Sequence, residues 1–206
     1  MTDTLIVMLP GALMAPQDFV SAGFAECLAR DWPVATLVPL PIDVNQLDVD
    51  ACVEALAQQL AAIRAERPHR RLILGGISLG AAVAMHYAHR HPTAVAGLCL
   101  LAPYPGSRLT TGAIRNAGGP ATWQADPAQR RDGEFLLWEW LIDGHDDLPI
   151  YLGYGRADRF ADGLAMMAAA MPAATCHVVD GDHDWPAWQA LWQDFVARRP
   201  HSKGKN

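Results

Sequence analysis

The sequence lacks the features that would direct the chain into or across a membrane. No lysine or arginine precedes Arg30, so the N-terminus has no positively charged region of the kind that begins a signal peptide. The first apolar run, from Leu5 to Leu9, is far too short to span a bilayer. We therefore expect a cytoplasmic protein with no membrane partner.

An excess of positive charge is also missing. The formal net charge is −6, from 16 basic and 22 acidic residues, and no basic cluster occurs before the last few positions. Nucleic acid is therefore excluded as an expected partner. The sequence contains no dinucleotide fingerprint, no P-loop and no cluster with metal-ligand spacing, so it predicts no cofactor and no metal site.

Cysteine is scarce, and its spacing is uninformative. None of the four cysteines belongs to a Cys-x-x-Cys pair, and each falls inside a predicted helix or strand. We expect buried, inert thiols, as in proteins of a reducing compartment. These residues are Cys27, Cys52, Cys99 and Cys176.

The composition is that of a globular protein. The 206 residues are 51% hydrophobic and 18% charged, which is enough apolar material for a substantial core. We predict a single domain over residues 1–199, an insertion within it over 106–147, and a flexible polar tail over 200–206.

Unbroken apolar runs alternate with segments of helical periodicity along most of the chain. Such runs are typical of a parallel sheet that helices cover on both faces. The sequence therefore predicts an α/β fold, a three-layer α/β/α sandwich with a mostly parallel sheet of about six strands. The predicted strands lie at 4–9, 34–38, 71–75, 94–101, 149–153 and 175–179, and the predicted helices at 16–30, 48–67, 79–89, 135–142, 161–170 and 187–198.

The strand that begins at Arg71 ends in a Gly-x-Ser-x-Gly pentapeptide formed by Gly76, Ser78 and Gly80. Glycines two residues on either side of a serine allow strained backbone angles that push its hydroxyl outward. The helix that follows aims its unpaired N–H groups at whatever the serine attacks. This strand–turn–helix context is typical of a nucleophilic serine.

Two further polar residues, Asp158 and His183, follow later predicted strands. Ligands of open parallel sheets bind beyond the carboxyl ends of the strands, so we expect these residues near Ser78. A serine hydroxyl needs a base to remove its proton, and histidine suits neutral pH. The imidazole in turn needs a carboxylate to fix its tautomer. The order Ser…Asp…His belongs to this type of sheet.

These motifs, with the turns at 155–158 and 181–185, resemble the α/β-hydrolase fold over nearly the full length of the chain, in particular its compact esterases. The resemblance implies a triad of Ser78 as nucleophile, Asp158 as acid and His183 as base. It also implies a serine hydrolase that cleaves a small carboxylic ester through an acyl-serine intermediate. The alternatives are a thioesterase or acyl transferase on the same triad, and a hydrolase fold that binds a small ligand without turnover.

An oxyanion hole requires two preorganised N–H donors. One should be the backbone N–H of Leu79, the residue after the nucleophile. The other should come from the loop after the first strand, where we expect Ala12, with its neighbour Leu13 as the alternative. The family commonly has His-Gly in this loop, whereas this chain has Pro10 and Gly11. The donor is a backbone group, so the departure does not remove it.

Other residues could take the roles of base and acid. The histidines that belong to or end the helix after Ser78 are expected to point away from it. His145 would break the Ser…Asp…His order, although an insertion residue can still touch a substrate. Asp162, one helical turn after Asp158, is the alternative acid unless it caps the next helix. The histidines of the helix after the serine are His86, His89 and His91.

The insertion at 106–147 is far longer than the usual connection of about six residues. Its predicted helix has too much apolar surface to lie bare in water. We expect a lid over a small-molecule ester or thioester, with Leu13, Trp138 and Trp140 binding the substrate. The alternative is that the aromatic rings only fill the insertion's own core or form a homodimer contact. The apolar residues expected on the lid are Trp123, Phe135, Leu137, Trp138 and Trp140.

Overall fold

A parallel sheet forms the centre of the protein. The computed structural model describes residues 4–44, 48–66, 71–145 and 147–199. The strands are Thr4–Leu9 (β1), Ala35–Pro39 (β2), Arg71–Ile77 (β3), Gly97–Leu101 (β4), Ile150–Gly155 (β5) and Thr175–Val179 (β6). They form one six-stranded sheet in the order β2-β1-β3-β4-β5-β6, and every neighbouring pair is parallel. The predicted α/β class with about six strands is confirmed.

Helices pack on both faces of this sheet. The α-helices of the described chain are Pro16–Ser21 (α1), Phe24–Asp31 (α2), Val49–Glu66 (α3), Leu79–Arg90 (α4), Arg108–Asn116 (α5), Gly133–Asp143 (α6), Ala161–Ala170 (α7) and Trp185–Arg198 (α8). Helices α2 and α8 contact each other on one face, and α3 and α4 contact each other on the opposite face. This division follows from right-handed crossovers between parallel strands. The chain adds β2 on one side of β1 and then adds β3 to β6 on the other side, so the connecting helices before and after this reversal lie on opposite faces of the sheet.

The apolar runs form strands because helices bury them from both sides. All six residues of β1 and all five of β4 are buried. The edge strand β2 is only half-buried along its length. Buried strands of this kind have no polar face, which explains why their sequences do not alternate.

The structure corrects two details of the predicted elements. The helix predicted over 16–30 is two helices, α1 and α2, because Gly23 between them adopts a φ of +78° that interrupts the helical path. Helix α5 was not predicted at all. The predicted tail at 200–206 lies outside the described residues, as does Arg67 at the end of the helix predicted over 48–67.

Three of the four cysteines are buried as expected, but Cys176 is exposed. Cys176 lies on β6, which is an edge strand of the sheet and pairs only with β5 among the described strands. Burial raises the pKa of the Cys99 thiol well above its ordinary value, so this thiol is inert. None of the described helices is both long enough and apolar enough to cross a membrane.

Candidate active site

The order of the strands reverses between β1 and β3, and the two strands are direct neighbours there. Leu9 at the end of β1 pairs with Gly76 in β3, so the loop after β1 and the turn after β3 lie side by side. In an open parallel sheet this crevice at the carboxyl edge is the usual place for a ligand. The sheet therefore positions Ser78 and the loop at 10–14 together.

Ser78 has a backbone conformation that few residues other than glycine adopt. Its φ is +54° and its ψ is −117°. Such conformations cost on the order of 1–3 kcal/mol and persist only when the surroundings hold them. Here the Ser78 N–H donates to the Leu101 carbonyl at 3.1 Å, and the Ser78 carbonyl accepts from Tyr104 N–H at 3.0 Å. These bonds fix the serine at the tip of the turn between β3 and α4.

The two glycines of the pentapeptide are required for close approach rather than for positive φ. A Cβ on Gly76 would lie 2.6 Å from the carbonyl carbon of Gly80. A Cβ on Gly80 would lie 2.6 Å from the carbonyl carbon of Leu9, and closer still to the carbonyl oxygens of Leu9 and Pro10. The sharp turn and the packing of α4 against the end of β1 therefore both depend on missing side chains.

Gly80→Ala is expected to lower the melting temperature by roughly 10 °C. The added methyl group meets backbone atoms that cannot rotate away, and overpacking of this kind costs about 3 kcal/mol at its upper end. Gly112→Ala is the matched control, since a Cβ there meets nothing within 4 Å inside helix α5. Thermal unfolding of both variants checks the prediction, and equal melting temperatures would contradict it.

The turn that carries Asp158 and the loop that carries His183 are joined by backbone hydrogen bonds. Arg156 N–H donates to the Val179 carbonyl at 2.8 Å, and Ala157 N–H donates to the Gly181 carbonyl at 2.9 Å. These bonds bring the two side chains together, and His183 Nδ1 lies within hydrogen-bond distance of Asp158 Oδ2, at 2.7 Å.

The surroundings fix this pair. The side chain of Asp158 is fully buried and that of His183 is 8% exposed. The second carboxylate oxygen of Asp158 accepts the Phe160 N–H at 2.8 Å. The rings of Phe160 and Trp188 contact the imidazole edge-on, with centroids 5.3 and 5.2 Å away. An acceptor at Nδ1 favours the tautomer that leaves Nε2 without a proton.

Asp162, the alternative acid, and the two carboxylates that flank His183 have other partners. Asp162 is exposed and sits 3.5 Å from Arg115. Asp182 accepts the backbone N–H of His183 at 2.7 Å, and Asp184 caps helix α8. Asp158 is therefore the carboxylate of these four that contacts the His183 ring.

The predicted oxyanion donors border the serine. Leu79 is the first residue of α4, so its N–H has no partner within the helix. Within the described residues, the Ala12 N–H also lacks a hydrogen-bond partner. Both residues line the same cavity as Ser78. Leu13 is 94% exposed with a φ of +59°, and it does not line this cavity.

A cavity of about 880 Å³ opens beside Ser78, and we call it the serine cavity. Leu79, Ala82, Val83 and His86 form one wall along α4, and Trp138 faces it from α6. His183 is not part of the lining, but Phe160 is, and Phe160 contacts the imidazole. Within the described part of the chain, the Ser78 hydroxyl has no hydrogen-bond partner.

His86 corrects the expectation that the histidines of α4 point away from the site. It lies two helical turns beyond Leu79 on the same side of the helix and lines the serine cavity. Its side chain is 5% exposed, and burial, with help from Arg90 and His89, lowers its pKa to about 4. The nearby carboxylates of Asp50 and Glu134 oppose this shift. Helical periodicity from the serine turn could have identified His86 as a lining residue.

Acidification is expected to destabilise the protein through His86. Its folded pKa of about 4 lies below the ordinary value of 6.5, so the unfolded chain binds the proton more readily. The stability that is present above pH 6.5 therefore falls by about 3 kcal/mol as the pH drops to about 4. His86→Gln should flatten this dependence in urea unfolding at pH 7 and pH 4.5. His91→Gln, at the end of the same helix, is the control, and equal slopes in both variants would contradict the assignment.

The two tryptophans assigned to substrate binding have different surroundings. Trp138 is 1% exposed, lines the serine cavity and donates its indole N–H to the Pro105 carbonyl at 2.9 Å. Trp140 is also buried but stacks on His145 with a centroid separation of 4.1 Å, and it does not line the cavity. Helix α6 therefore presents Trp138 to the cavity and packs Trp140 against His145 and His89. The insertion rings Trp123 and Phe135 stack on each other at 5.8 Å.

A family model described as "Putative esterase" matches residues 46–198, which is most of the chain. The chain belongs to this family of esterases. The protein is therefore a hydrolase. The comparison with curated proteins gives no match.

Several solved structures, two of them named as esterases, share the fold of this chain. Est1E from Butyrivibrio proteoclasticus is 13% identical with a TM-score of 0.69, over 96% of this chain and 87% of that one. A thermophilic esterase from Thermogutta terrifontis is 16% identical with a TM-score of 0.59, over 96% and 89%. An uncharacterized protein from Bacillus cereus ATCC 10987 is 17% identical with a TM-score of 0.63, over 95% of this chain but 60% of that one. At these identities the likeness establishes the α/β-hydrolase fold alone.

Proposed function

We propose that the protein cleaves a small carboxylic ester through an acyl-serine intermediate on Ser78, His183 and Asp158. The observation that carries the proposal is the buried 2.7 Å bond between His183 and Asp158, in an esterase-family chain whose serine sits on a positive-φ turn. A histidine held by a buried carboxylate is the arrangement that serine hydrolysis requires.

The reaction has two halves. Ser78 Oγ attacks the ester carbonyl while His183 Nε2 takes the hydroxyl proton, so an Oγ–carbon bond forms. The imidazolium, stabilised by Asp158, gives that proton to the leaving alcohol as the carbon–oxygen bond breaks. Water then repeats the sequence and releases the acid. The hydrogen bond between Ser78 Oγ and His183 Nε2 that this transfer needs forms when substrate binds, because catalytic hydrogen bonds often tighten only in the substrate complex.

The backbone N–H groups of Leu79 and Ala12 stabilise the oxyanion in this account. Each donates a hydrogen bond that stabilises the negative charge developing on the carbonyl oxygen, and the helix dipole of α4 adds to the effect of Leu79. No cofactor or metal takes part in the proposed reaction. The cytoplasmic location expected from the sequence stays a prediction.

Hydrolysis of paired substrates tests the proposal. Nitrophenyl acetate and nitrophenyl butyrate represent esters, and acetyl-CoA represents thioesters, which are the substrates of the alternative function. We expect turnover of the esters, with loss of activity after phosphonate treatment. Turnover of the thioester alone would favour a thioesterase, and binding without turnover of any substrate would favour a hydrolase fold that only binds its ligand.

A further inference from the structure

A second cavity, of about 580 Å³, adjoins the serine cavity, and three arginines line it: Arg108, Arg115 and Arg159. We call it the arginine cavity. It shares Arg159 and Phe160 with the serine cavity, along with the segment 104–106 that follows β4. The two spaces therefore adjoin along these residues, and a molecule whose carbonyl lies at Ser78 can reach past Phe160 toward the arginines.

The charges of the arginine cavity do not cancel. Its lining contains three arginines and one carboxylate, Asp162, which lies 3.5 Å from Arg115. In the part of the chain that the structure describes, neither Arg108 nor Arg159 has a carboxylate partner. The guanidinium groups of Arg108 and Arg159 are therefore available to bind an anion. They form a positive site although the net charge of the protein is −6. A local positive site on an acidic surface attracts anions and orients them.

The position of Arg159 is tied to the proposed triad. It directly follows Asp158 in the chain, and its guanidinium lies over the ring of Phe160, 4.9 Å from the centroid. Phe160 in turn donates its backbone N–H to Asp158 and contacts the ring of His183. A group bound by Arg159 therefore lies close to the residues of the proposed triad.

We propose that the arginine cavity binds an anionic group of the substrate, a carboxylate or a phosphate, while the carbonyl to be attacked lies at Ser78. This deepens the proposed function and rests on it, because the cavity defines the class of ester rather than the reaction. Guanidinium groups suit both anions, since their planar donors match two oxygens at once. The preferred substrate is thus an ester or thioester that carries negative charge away from the reacting bond.

Two substrate pairs of matched shape test the inference and locate the anion. The nitrophenyl monoester of glutaric acid and nitrophenyl pentanoate differ by a carboxylate on the acyl side. The acetyl thioesters of 4′-phosphopantetheine and of pantetheine differ by one phosphate on the leaving group. We expect the anionic member of at least one pair to have the higher kcat/KM, by about tenfold or more. A ratio near one in both pairs, with the neutral esters turned over, would overturn the inference and leave the proposed function intact.

Variants assign the preference to the arginines. Arg108→Gln and Arg159→Gln should each lower the anionic-to-neutral ratio, and the double variant should lower it about tenfold or more. The matched control is Arg156→Gln, which removes one positive charge three residues before Arg159 but outside the arginine cavity. If Arg156→Gln lowers the anionic-to-neutral ratio as much as the other variants do, the preference comes from the overall charge of the protein. That result would overturn the proposed anion site.

Binding measurements keep the inference testable if no substrate is turned over, an outcome that would refute the proposed function. Calorimetric titration of the unmodified protein with glutarate and with inorganic phosphate needs no chemistry. We expect binding of at least one anion, and about tenfold or more weaker binding by the double variant than by Arg156→Gln. Equal affinities, or no binding of either anion, would overturn the inference.

Discussion

Replacing Ser78 or His183 with alanine is expected to lower the turnover of nitrophenyl acetate by roughly 10³-fold or more, and the double variant should be little worse than either. The two residues act as one unit, because a serine without its base and a base without its serine are equally inactive. Asp158→Asn should have a smaller effect, since it removes the partner of His183 Nδ1 and leaves both reacting groups in place. Steady-state kinetics measure all four variants.

Asp180→Asn is the control for these variants. This exposed carboxylate lies in the same loop region as His183 but pairs with Arg156, so its removal should leave turnover close to that of the unmodified protein. Activity near normal in Ser78→Ala or His183→Ala would refute the proposed roles. A larger loss from Asp162→Asn than from Asp158→Asn would transfer the acid role to Asp162.

Trp138→Ala is expected to lower stability by about 3–5 kcal/mol and also to change the preference among ester chain lengths. The stability loss follows from the buried volume that the ring fills, together with its hydrogen bond to Pro105. The change in preference follows because Trp138 lines the serine cavity, where each CH₂ of a longer acyl chain gains about 0.8 kcal/mol by burial. An acetyl group is too short to gain from this contact.

Trp140→Ala provides the matched comparison two residues further along α6. This ring is also buried, so the stability loss should be similar, but it packs on His145 and the chain-length profile should stay unchanged. Melting temperatures measure the loss of stability in both variants. Values of kcat/KM for nitrophenyl esters with acyl chains of roughly two to eight carbons measure the change in preference. If both variants shift the profile equally, or neither does, α6 is not the wall that selects the acyl chain.

The parts of the fold that the sequence revealed are those that depend on local chemistry. Unbroken apolar runs predict the buried strands, and the pentapeptide around Ser78 predicts the turn between β3 and α4. The chain order of Ser78, Asp158 and His183 follows from the order of the strands that carry them. The structure brings Asp158 and His183 together because neighbouring strands β5 and β6 end beside each other.

What the sequence could not reveal depends on contacts between distant segments. Helix α5 has an N-cap serine, Ser107, but the sequence of the helix is so polar that it resembles a loop. The different surroundings of Trp138 and Trp140 depend on which face of α6 packs against α4. The sequence of α6 is apolar on nearly every side, so it does not predict that face. The arginine cavity joins residues about fifty positions apart, and no motif links them.

Covalent labelling tests the central claim most directly. A fluorophosphonate reacts with a serine only when a neighbouring base activates it, so it reports the nucleophile without requiring the natural substrate. We predict one added label per chain by intact mass, mapped to the peptide that contains Ser78 and strongly reduced in His183→Ala. A folded protein that stays unlabelled, or that carries the label on another residue, would contradict the account.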